Sequence, residues 1–476
     1  NITLSFDQTG SNASPRDFKI QYSTDGSTFT DLSGGSYQLT ADSWSSLGDP
    51  KTASSRTFDL SSVTALNNQA NIYIRLTVSS STSIQGGSID IGGTGRVDNV
   101  TIKGAAITFT WNGAGDGINW NDAANWDCNC GLTPTINNPV VIPNGANVVL
   151  NTDYTARNLQ LQATSSLKIA PNKTLMVEGY ADFNGQHVTV QSDATGTGMI
   201  GQVSGFIEDA TNVTVERYIS ASSNRAYRML TPSVTTTNYI RDNWQEGTNN
   251  PDKVTNNNPN AGYGTHITGA GGSSNGFDVT QTNQSSLFQL VSGAWVAVGN
   301  TNATKLYADQ AYLLFVRGSR DNINTINTTT GSSNTILRAT GTLKQGAQTF
   351  ASLPASDFSL VSNPFAAPLN WGSLYTANSS NFENYITIWD PNVGTRGGYV
   401  TVNNTGTNNN GGSHLNAHIQ SGQAFYVITK SGGAKTLNIA EADKSTTNNL
   451  DVYKDNNTSE ERLNILLRFK ESATNK

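Results

Sequence analysis

Residues 111–127 read WNGAGDGINWNDAANWD and set three tryptophans among Gly, Asn and Asp. Short apolar segments follow, as in VVIPNGANVVLN (residues 140–151) and SLKIAPNKTLMVEG (residues 166–179), and they recur roughly every ten residues with turn residues between them. This spacing predicts a short β-solenoid, because each rung buries its inward side chains only against its neighbours. The three rings are predicted to close the first rung as an aromatic cap. A second small sandwich would give nearly the same pattern.

On the amino-terminal side, residues 1–104 alternate apolar and polar positions, as in Ile2-Leu4-Phe6, Phe18-Ile20-Tyr22 and Val97-Val100-Ile102. Turn pairs such as Asp25-Gly26 separate these runs. Alternation with a period of two, bounded by turns, predicts strands with one buried face. We therefore expect a β-sandwich in this segment.

On the carboxyl-terminal side, residues 205–443 have longer apolar runs separated by Asn/Gly-rich loops. They predict a larger domain of the β-sandwich type, and its long loops are typical of a binding surface or of a covered sheet edge. Residues 444–476 are more charged and contain ERLNILLRF, which predicts a strand that opens a further segment. The expected fold class is all-β, with segments at 1–104, 105–204, 205–443 and 444–476.

The composition excludes several classes of protein. The 476 residues carry a formal net charge of −6, and only 13% of them are charged. No basic run supplies the phosphate-neutralising surface that nucleic-acid binding needs. No apolar stretch approaches the 18 or more residues that span a bilayer, and the amino terminus resembles no signal peptide. We therefore expect no nucleic-acid partner, no membrane span, and a chain that is an interior piece of a longer protein.

The motifs of catalysis are weak in this sequence. Residues 272–276 (GSSNG) match G-x-S-x-G, but they lie in a Gly/Asn-rich loop where no strand and helix frame a nucleophile. His414 and His418 have the spacing of a helical metal pair, yet a Gly/Asn run precedes them and the glutamate of H-E-x-x-H is absent. Acidic residues are sparse and lie mostly in turns. We therefore predict that the chain is not an enzyme.

The two cysteines, Cys128 and Cys130, both lie in DCNCG. A strained local disulfide and two free thiols beside a turn are the alternatives, because a metal site would need further soft ligands that the sequence lacks. A disulfide here closes so small a loop that it cannot be a major source of stability.

Three parts of the chain resemble known secreted proteins. FKIQYSTDGSTFTDL (residues 18–32) and GRVDNVTIKG (residues 95–104) resemble a jelly-roll domain of large secreted Bacteroidetes proteins that is often compared with carbohydrate-binding modules. The Trp-rich segment and its rungs resemble adhesin-like surface proteins of the same phylum. RAYRMLTPSV (residues 225–234) and FSLVSNPFAAPLNW (residues 358–371) resemble the region before the sorting domain in flavobacterial type IX secretion substrates. The resemblance implies that such a sorting domain was removed on export or lies beyond these residues.

The resemblance also suggests binding sites. In similar carbohydrate-binding domains an Asp at the place of Asp98 often helps to hold a structural calcium ion, and Asp7 or Asp25 would join it here. The alternative is a buried Asp that is hydrogen-bonded to loop amides. Trp44, flanked by polar residues, is the candidate for stacking on a sugar ring, with a core position as the alternative. Trp120 and Trp126 are expected in the core of the cap.

Together these observations predict a non-enzymatic secreted or surface-exposed β-protein, an adhesin or stalk that a type IX secretion system exports. Its localisation would be extracellular or attached to the outer-membrane surface. Its partners would be the translocon during export and then glycans or other surface proteins. One alternative is the carbohydrate-binding accessory region of a larger polysaccharide-degrading enzyme. Another is a passenger of the export machinery with no activity in this portion.

Overall fold

The computed structural model describes residues 2–40, 52–66, 69, 71–104, 106–128, 130–222, 225–247, 264–320, 326, 331–394, 396–449 and 452–453. It divides into two compact units, Asn1–Thr108 and Phe109–Lys476. Nearly all regular structure in the described residues is β-strand, which confirms the all-β fold class.

The first unit is an antiparallel sandwich. Its strands are β1 (Ile2–Gly10), β2 (Asp17–Ser23), β3 (Thr30–Gln38), β4 (Ser55–Asp59), β5 (Tyr73–Val78) and β6 (Gly95–Gly104). They form two three-stranded sheets in the orders β4–β1–β6 and β3–β2–β5. Leu4 and Phe6 of β1 pack in one cluster with Ile20 of β2 and Leu32 of β3. Side chains from both sheets therefore share a core, as the alternating pattern predicts.

Strand β6 departs from that pattern. Its apolar residues Val97, Val100 and Ile102 are 46%, 62% and 47% exposed. Among the described strands β6 pairs only with β1, so it is an edge strand of its sheet. Alternation alone does not reveal which apolar side chains of an edge strand stay exposed.

The second unit begins with the predicted solenoid. Its strands are β7 (Phe109–Trp111), β8 (Trp126–Asp127), β9 (Val140–Ile142), β10 (Asn147–Leu150), β11 (Tyr154–Leu161), β12 (Ser166–Ile169), β13 (Thr174–Asp182), β14 (His187–Val190), β15 (Met199–Val203), β16 (Phe206–Glu208) and β17 (Val213–Ile219). Strands β7, β9, β11 and β13 pair in parallel, and both β15 and β16 continue from β13. Strands β10, β12, β14 and β17 form a second parallel sheet. Parallel pairing between successive rungs confirms the solenoid over a second small sandwich.

Equivalent positions of successive rungs carry similar residues, and these residues stack on one another. Val148, Leu167, Val188 and Val213 are in register on four adjacent strands, and all are buried. The positions that alternate with them point away from this core. The rungs also approach closely at Gly205, where an added Cβ would lie 1.7 Å from a backbone carbonyl oxygen of the preceding rung. Only glycine fits there without displacing the backbone.

The tryptophans form the cap at the start of the solenoid. Trp111, Trp120 and Trp126 are 5%, 1% and 4% exposed. The ring of Trp126 meets Trp111 and Trp120 edge-on at centroid distances of 5.1 and 4.7 Å, and its Nε1 donates to the carbonyl oxygen of Trp120 at 2.8 Å. The buried Asn125 accepts hydrogen bonds from the amides of Gly115 and Gly117. The cap is therefore a packed core with an ordered loop over it, as predicted.

The rest of the second unit is antiparallel. Its strands are β18 (Tyr227–Leu230), β19 (Val234–Thr236), β20 (Leu287–Val291), β21 (Ala294–Ala297), β22 (Tyr312–Phe315), β23 (Thr335–Leu343), β24 (Gln348–Leu353), β25 (Phe358–Ser362), β26 (Leu369–Asn370), β27 (Phe382–Asp390), β28 (Gly398–Asn403), β29 (His418–Ile419), β30 (Ala424–Thr429) and β31 (Lys435–Ile439), with helix α1 (Trp371–Asn378). Two four-stranded sheets have the orders β18–β22–β20–β21 and β25–β30–β27–β28, and β24–β31 and β26–β29 are separate pairs. The side chain of Asn370 caps α1 by accepting from the amide of Gly372.

The solenoid and the antiparallel region share a sheet. Strand β17, the last of its parallel row, pairs on its other side with β23 in antiparallel orientation, and β19 follows β23. The boundary expected between residues 204 and 205 falls between β15 and β16, which both pair with β13. Residues 109–204 and 205–443 are thus parts of one compact unit. No helix within the described residues is long and apolar enough to cross a membrane.

Candidate functional site

A polar surface lies on the outward side of the sheet β10–β12–β14–β17–β23. Lys168, Thr189, Thr214 and Thr340 are in register on four adjacent strands and form one row across it. Asn147, Ser166 and His187 form a second row on the same face, two residues earlier along the strands. Because most inward positions of these strands are apolar, the alternation that builds the core also places the polar side chains of these two rows on one face.

This face is the floor of a groove with a volume of about 840 Å³. Asp242, Asn243 and Glu246 form one wall, and Pro171 and Asp193 also line it. The amide side chain of Asn243 fixes its wall to the floor, since its Oδ1 accepts from the backbone N–H of Thr340 at 2.8 Å. We call this feature the solenoid groove; its lining residues are Asn147, Ser166, Lys168, Pro171, His187, Thr189, Gln191, Ser192, Asp193, Thr214, Glu216, Asp242, Asn243, Glu246, Ile336, Arg338 and Thr340.

An ion-pair network holds the deep end of the groove. Arg338 donates from Nε to Glu216 at 2.7 Å and from Nη1 to Glu246. The second oxygen of Glu216 accepts the amide N–H of Ser192, and that of Glu246 accepts the amide N–H of Gly264. Burial raises the pKa of Glu246, against the lowering effect of Arg338. The three charged side chains therefore tie the floor, the wall and a loop together.

His187 marks the shallower part of the floor. Its Nε2 lies 2.8 Å from the hydroxyl of Thr214, and that hydroxyl lies 2.7 Å from the hydroxyl of Thr340. Burial and the nearby ammonium of Lys168 lower the pKa of His187. In its neutral form an imidazole offers one nitrogen that accepts a hydrogen bond and one that donates.

The groove is suited to hydrogen bonding more than to ion binding. Its lining combines hydroxyls, side-chain amides, an imidazole and charged groups, so it offers donors and acceptors together. In the part of the chain that the structure describes, no three His, Cys, Asp or Glu side chains are grouped to hold a metal ion. Its carboxylates, from Asp193, Glu216, Asp242 and Glu246, outnumber its cations, Lys168 and Arg338.

A second feature is a row of aromatic rings on the sheet β25–β30–β27–β28. Phe358 meets Tyr426 at 6.4 Å, Tyr426 meets Tyr399 at 6.0 Å, and Tyr399 meets Trp389 at 5.0 Å between ring centroids. Phe358 is 58% exposed and Tyr399 is 53% exposed. We call these four residues the aromatic row.

The structure places two of the three residues that the sequence proposes for calcium on neighbouring strands. Asp7 and Asp98 are directly paired between β1 and β6. The carboxylate of Asp7 accepts from the hydroxyl of Ser55 and the amide of Asn99, and these bonds lower its pKa. Asp98, for which a buried position with hydrogen bonds to loop amides is the alternative to calcium, is instead exposed, and its Oδ1 accepts from the backbone N–H of Asn99 at 2.8 Å. Calcium itself stays a prediction.

Asp25 lies in the turn between β2 and β3 and bonds to its backbone. Its Oδ1 accepts from the backbone amides of Ser27 and Thr28, each at 2.8 Å, in the turn between β2 and β3. These bonds lower the pKa of Asp25. Asp25 therefore stabilises its own turn, in the way that Asp commonly does.

The remaining predicted residues have mixed outcomes. Trp44 lies outside the described residues. Cys128 and Cys130 are joined as a disulfide, with sulfurs 1.95 Å apart. His418 lies on strand β29 and its Nδ1 is 3.0 Å from the hydroxyl of Ser445, so it is not part of a helical metal pair.

Sequence reasoning missed the groove, although one signal was present. In VTVERYI the charged Glu216 and Arg217 lie inside an otherwise apolar strand, and both are buried. Charged residues in that position need partners. Arg338, the partner of Glu216, lies 122 positions along the chain, so the pair could not be identified from local pattern.

A family model matches residues 110–474, which is more than half of the chain, and its description is "Domain of unknown function (DUF8693)". The chain belongs to this family. The match includes the whole of the solenoid groove and of the aromatic row. Neither a curated protein nor a solved structure matches the chain.

Proposed function

We propose that this chain is a non-enzymatic, secreted or surface-exposed β-protein of the adhesin or stalk type, and that it binds its target through the solenoid groove. The observation that carries this proposal is the groove itself, which has a volume of about 840 Å³ and is lined by polar side chains of the stacked parallel rungs. Stacked rungs form a stiff support, because each one packs on its neighbours. A rigid support holds binding side chains in place without an entropic cost on each binding event.

The disulfide supports a location outside the reducing cytosol. Cys128 and Cys130 are bonded to each other in the structure, and disulfides persist mainly in secreted and surface proteins. Export by a type IX secretion system rests on the resemblance of residues 225–234 and 358–371 and stays a prediction.

Antibody labelling of the source cells tests the location. Intact cells should be labelled as strongly as permeabilised ones, and labelling that requires permeabilisation would contradict a surface role. Attachment of a deletion strain should be restored by the unaltered gene and by Gln160→Ala, which alters an exposed residue of β11 on the other sheet of the solenoid. It should not be restored by Gln191→Ala, which alters the groove.

The second candidate function is a carbohydrate-binding accessory region, and the aromatic row favours it. Exposed rings complement the apolar C–H face of a pyranose, and Phe358 and Tyr399 are both more than half exposed. Tyr399→Ala should reduce retention of the protein on insoluble polysaccharide, whereas Tyr307→Ala, which alters an exposed tyrosine outside the row, should not. Equal retention of both variants would remove the support for this function.

A further inference from the structure

We infer that the solenoid groove binds a neutral oligosaccharide, which lies across the strands with one sugar unit over each rung. This inference rests on the proposed binding role of the groove and specifies the class of its ligand. Lys168, Thr189, Thr214 and Thr340 stand on four adjacent strands of one sheet. Adjacent strands are about 4.7–4.9 Å apart, which is close to the length that one pyranose unit adds to an extended sugar chain.

The chemistry of the lining matches sugar hydroxyls. A hydroxyl group donates one hydrogen bond and accepts others, and the hydroxyls of Thr189 and Ser166 have the same two functions. The hydroxyl of Ser166 donates to Oδ1 of Asn147 at 2.6 Å, so its remaining lone pair is the part that can accept from a ligand. The side-chain amide of Gln191 and the ammonium of Lys168 line the groove and have no hydrogen-bond partner among the described residues. These two groups are therefore available to a ligand without breaking an existing bond.

The charge of the groove disfavours an acidic ligand. Arg338 is occupied by Glu216 and Glu246. Of the two cations that line the groove, Lys168 is then the one that could pair with an anionic ligand. The carboxylates of Asp193 and Asp242 line the same groove. A polyanion would meet net repulsion there. A neutral ligand avoids that cost.

No Phe, Tyr or Trp is among the described residues that line the groove, and this sets the binding mode. Without an aromatic platform, the sugar units are held through their edges by hydrogen bonds. Each bond contributes modestly because it replaces a bond to water. Affinity should therefore increase with the number of rungs that the ligand covers.

Titration calorimetry with the full chain tests this inference. Cellulose-, mannan- and starch-derived oligomers of two, four and six units are the probes, with a galacturonic acid hexamer and spermine as charged comparators. At least one neutral series should bind, with affinity that rises from the dimer to the tetramer and then levels, because the row covers four strands. Binding of a charged comparator in preference to every neutral probe would overturn the inference. So would no binding by any neutral probe, or equal affinity at all lengths.

Variants locate the site. Gln191→Ala removes an available amide, and Thr189→Val removes a hydroxyl from the floor with little change of shape. Each should weaken the binding of the best hexamer about 5- to 10-fold, the equivalent of one hydrogen bond. The matched control Gln160→Ala should bind as the unaltered chain does. If Thr189→Val fails to fold, as judged by circular dichroism, Gln191→Ala alone decides; unchanged affinity in that variant would contradict the inference.

The outcomes for the ligand and for the proposed function are separable. If intact cells are labelled and attachment depends on Gln191 but no neutral oligomer binds, the ligand class is wrong and the adhesin function stands. If a neutral oligomer binds in the groove but the protein is not on the surface, the function is wrong and the ligand class stands.

Discussion

Replacement of Arg338 by Met would test the ion-pair network that closes the deep end of the solenoid groove. The guanidinium bridges Glu216 and Glu246, and its side chain is 16% exposed, against 12% and 4% for the two glutamates. Met has a similar length and no charge, so the variant removes the cation and leaves two largely buried carboxylates unpaired. Removing one partner from a buried ion pair typically costs about 3–5 kcal/mol. We expect a loss in this range at pH 8.

The loss should depend on pH in a definite direction. Burial already raises the pKa of Glu246 in the folded protein, and the arginine opposes that effect. Without the arginine the pKa of Glu246 rises further. A carboxyl group whose pKa is higher in the folded than in the unfolded state favours folding while it is protonated. This contribution to stability is complete below the pKa of the unfolded state, about 4.3 for Glu. It is lost as the pH rises through the pKa of the folded state. The variant should therefore be closest to the unaltered protein near pH 4–5 and most destabilised at pH 8.

Urea unfolding monitored by tryptophan fluorescence at pH 5 and pH 8 measures both effects. The double variant Arg338→Met/Glu246→Gln is the control, because it also removes the more buried carboxylate and should recover part of the lost free energy at pH 8. A destabilisation below about 1 kcal/mol at pH 8, the range of an exposed pair, would refute the reasoning. An equal destabilisation at both pH values would refute the assignment of the effect to an unpaired carboxylate.

Three further predictions concern the solenoid and its cap. Gly205→Ala should lower the unfolding free energy by about 1–3 kcal/mol through overpacking between rungs, whereas Gly299→Ala, where an added Cβ meets nothing within 4 Å, should change it little in the same urea titration. Trp126→Ala should cost about 3–5 kcal/mol because it opens the cap core, measured by urea unfolding. Cys128→Ser with Cys130→Ser should cost less than about 2 kcal/mol, because the closed loop is very short; a larger loss would show that the disulfide holds the segment.

The solenoid was predictable because its information is local. Every rung repeats an apolar strand and a turn within a short stretch of sequence, and the buried partners, such as Val148 and Leu167, occupy equivalent positions in successive repeats. The cap was predictable for the same reason, since its three rings lie within residues 111–126. Local repetition specifies both the strands and the face that they bury.

The exposure of β6 and the composition of the groove were not predictable in this way. Whether Val100 is covered depends on what packs over its face of the sheet, and alternation carries no information about that. The groove needs Glu216, Glu246 and Arg338 from three separated segments. Their meeting depends on the long-range pairing of β17 with β23, which no local pattern encodes.

The groove exists because the sheet changes from parallel to antiparallel pairing at β17. A further parallel rung would continue the open polar face and would bring no wall with it. Strand β23 instead arrives from the opposite direction, and the backbone amide of its Thr340 binds Asn243 of the wall. The rungs therefore supply the regular rows of the floor, and the antiparallel region supplies the enclosure. The two predicted segments are separate in sequence pattern, and the candidate site requires both of them.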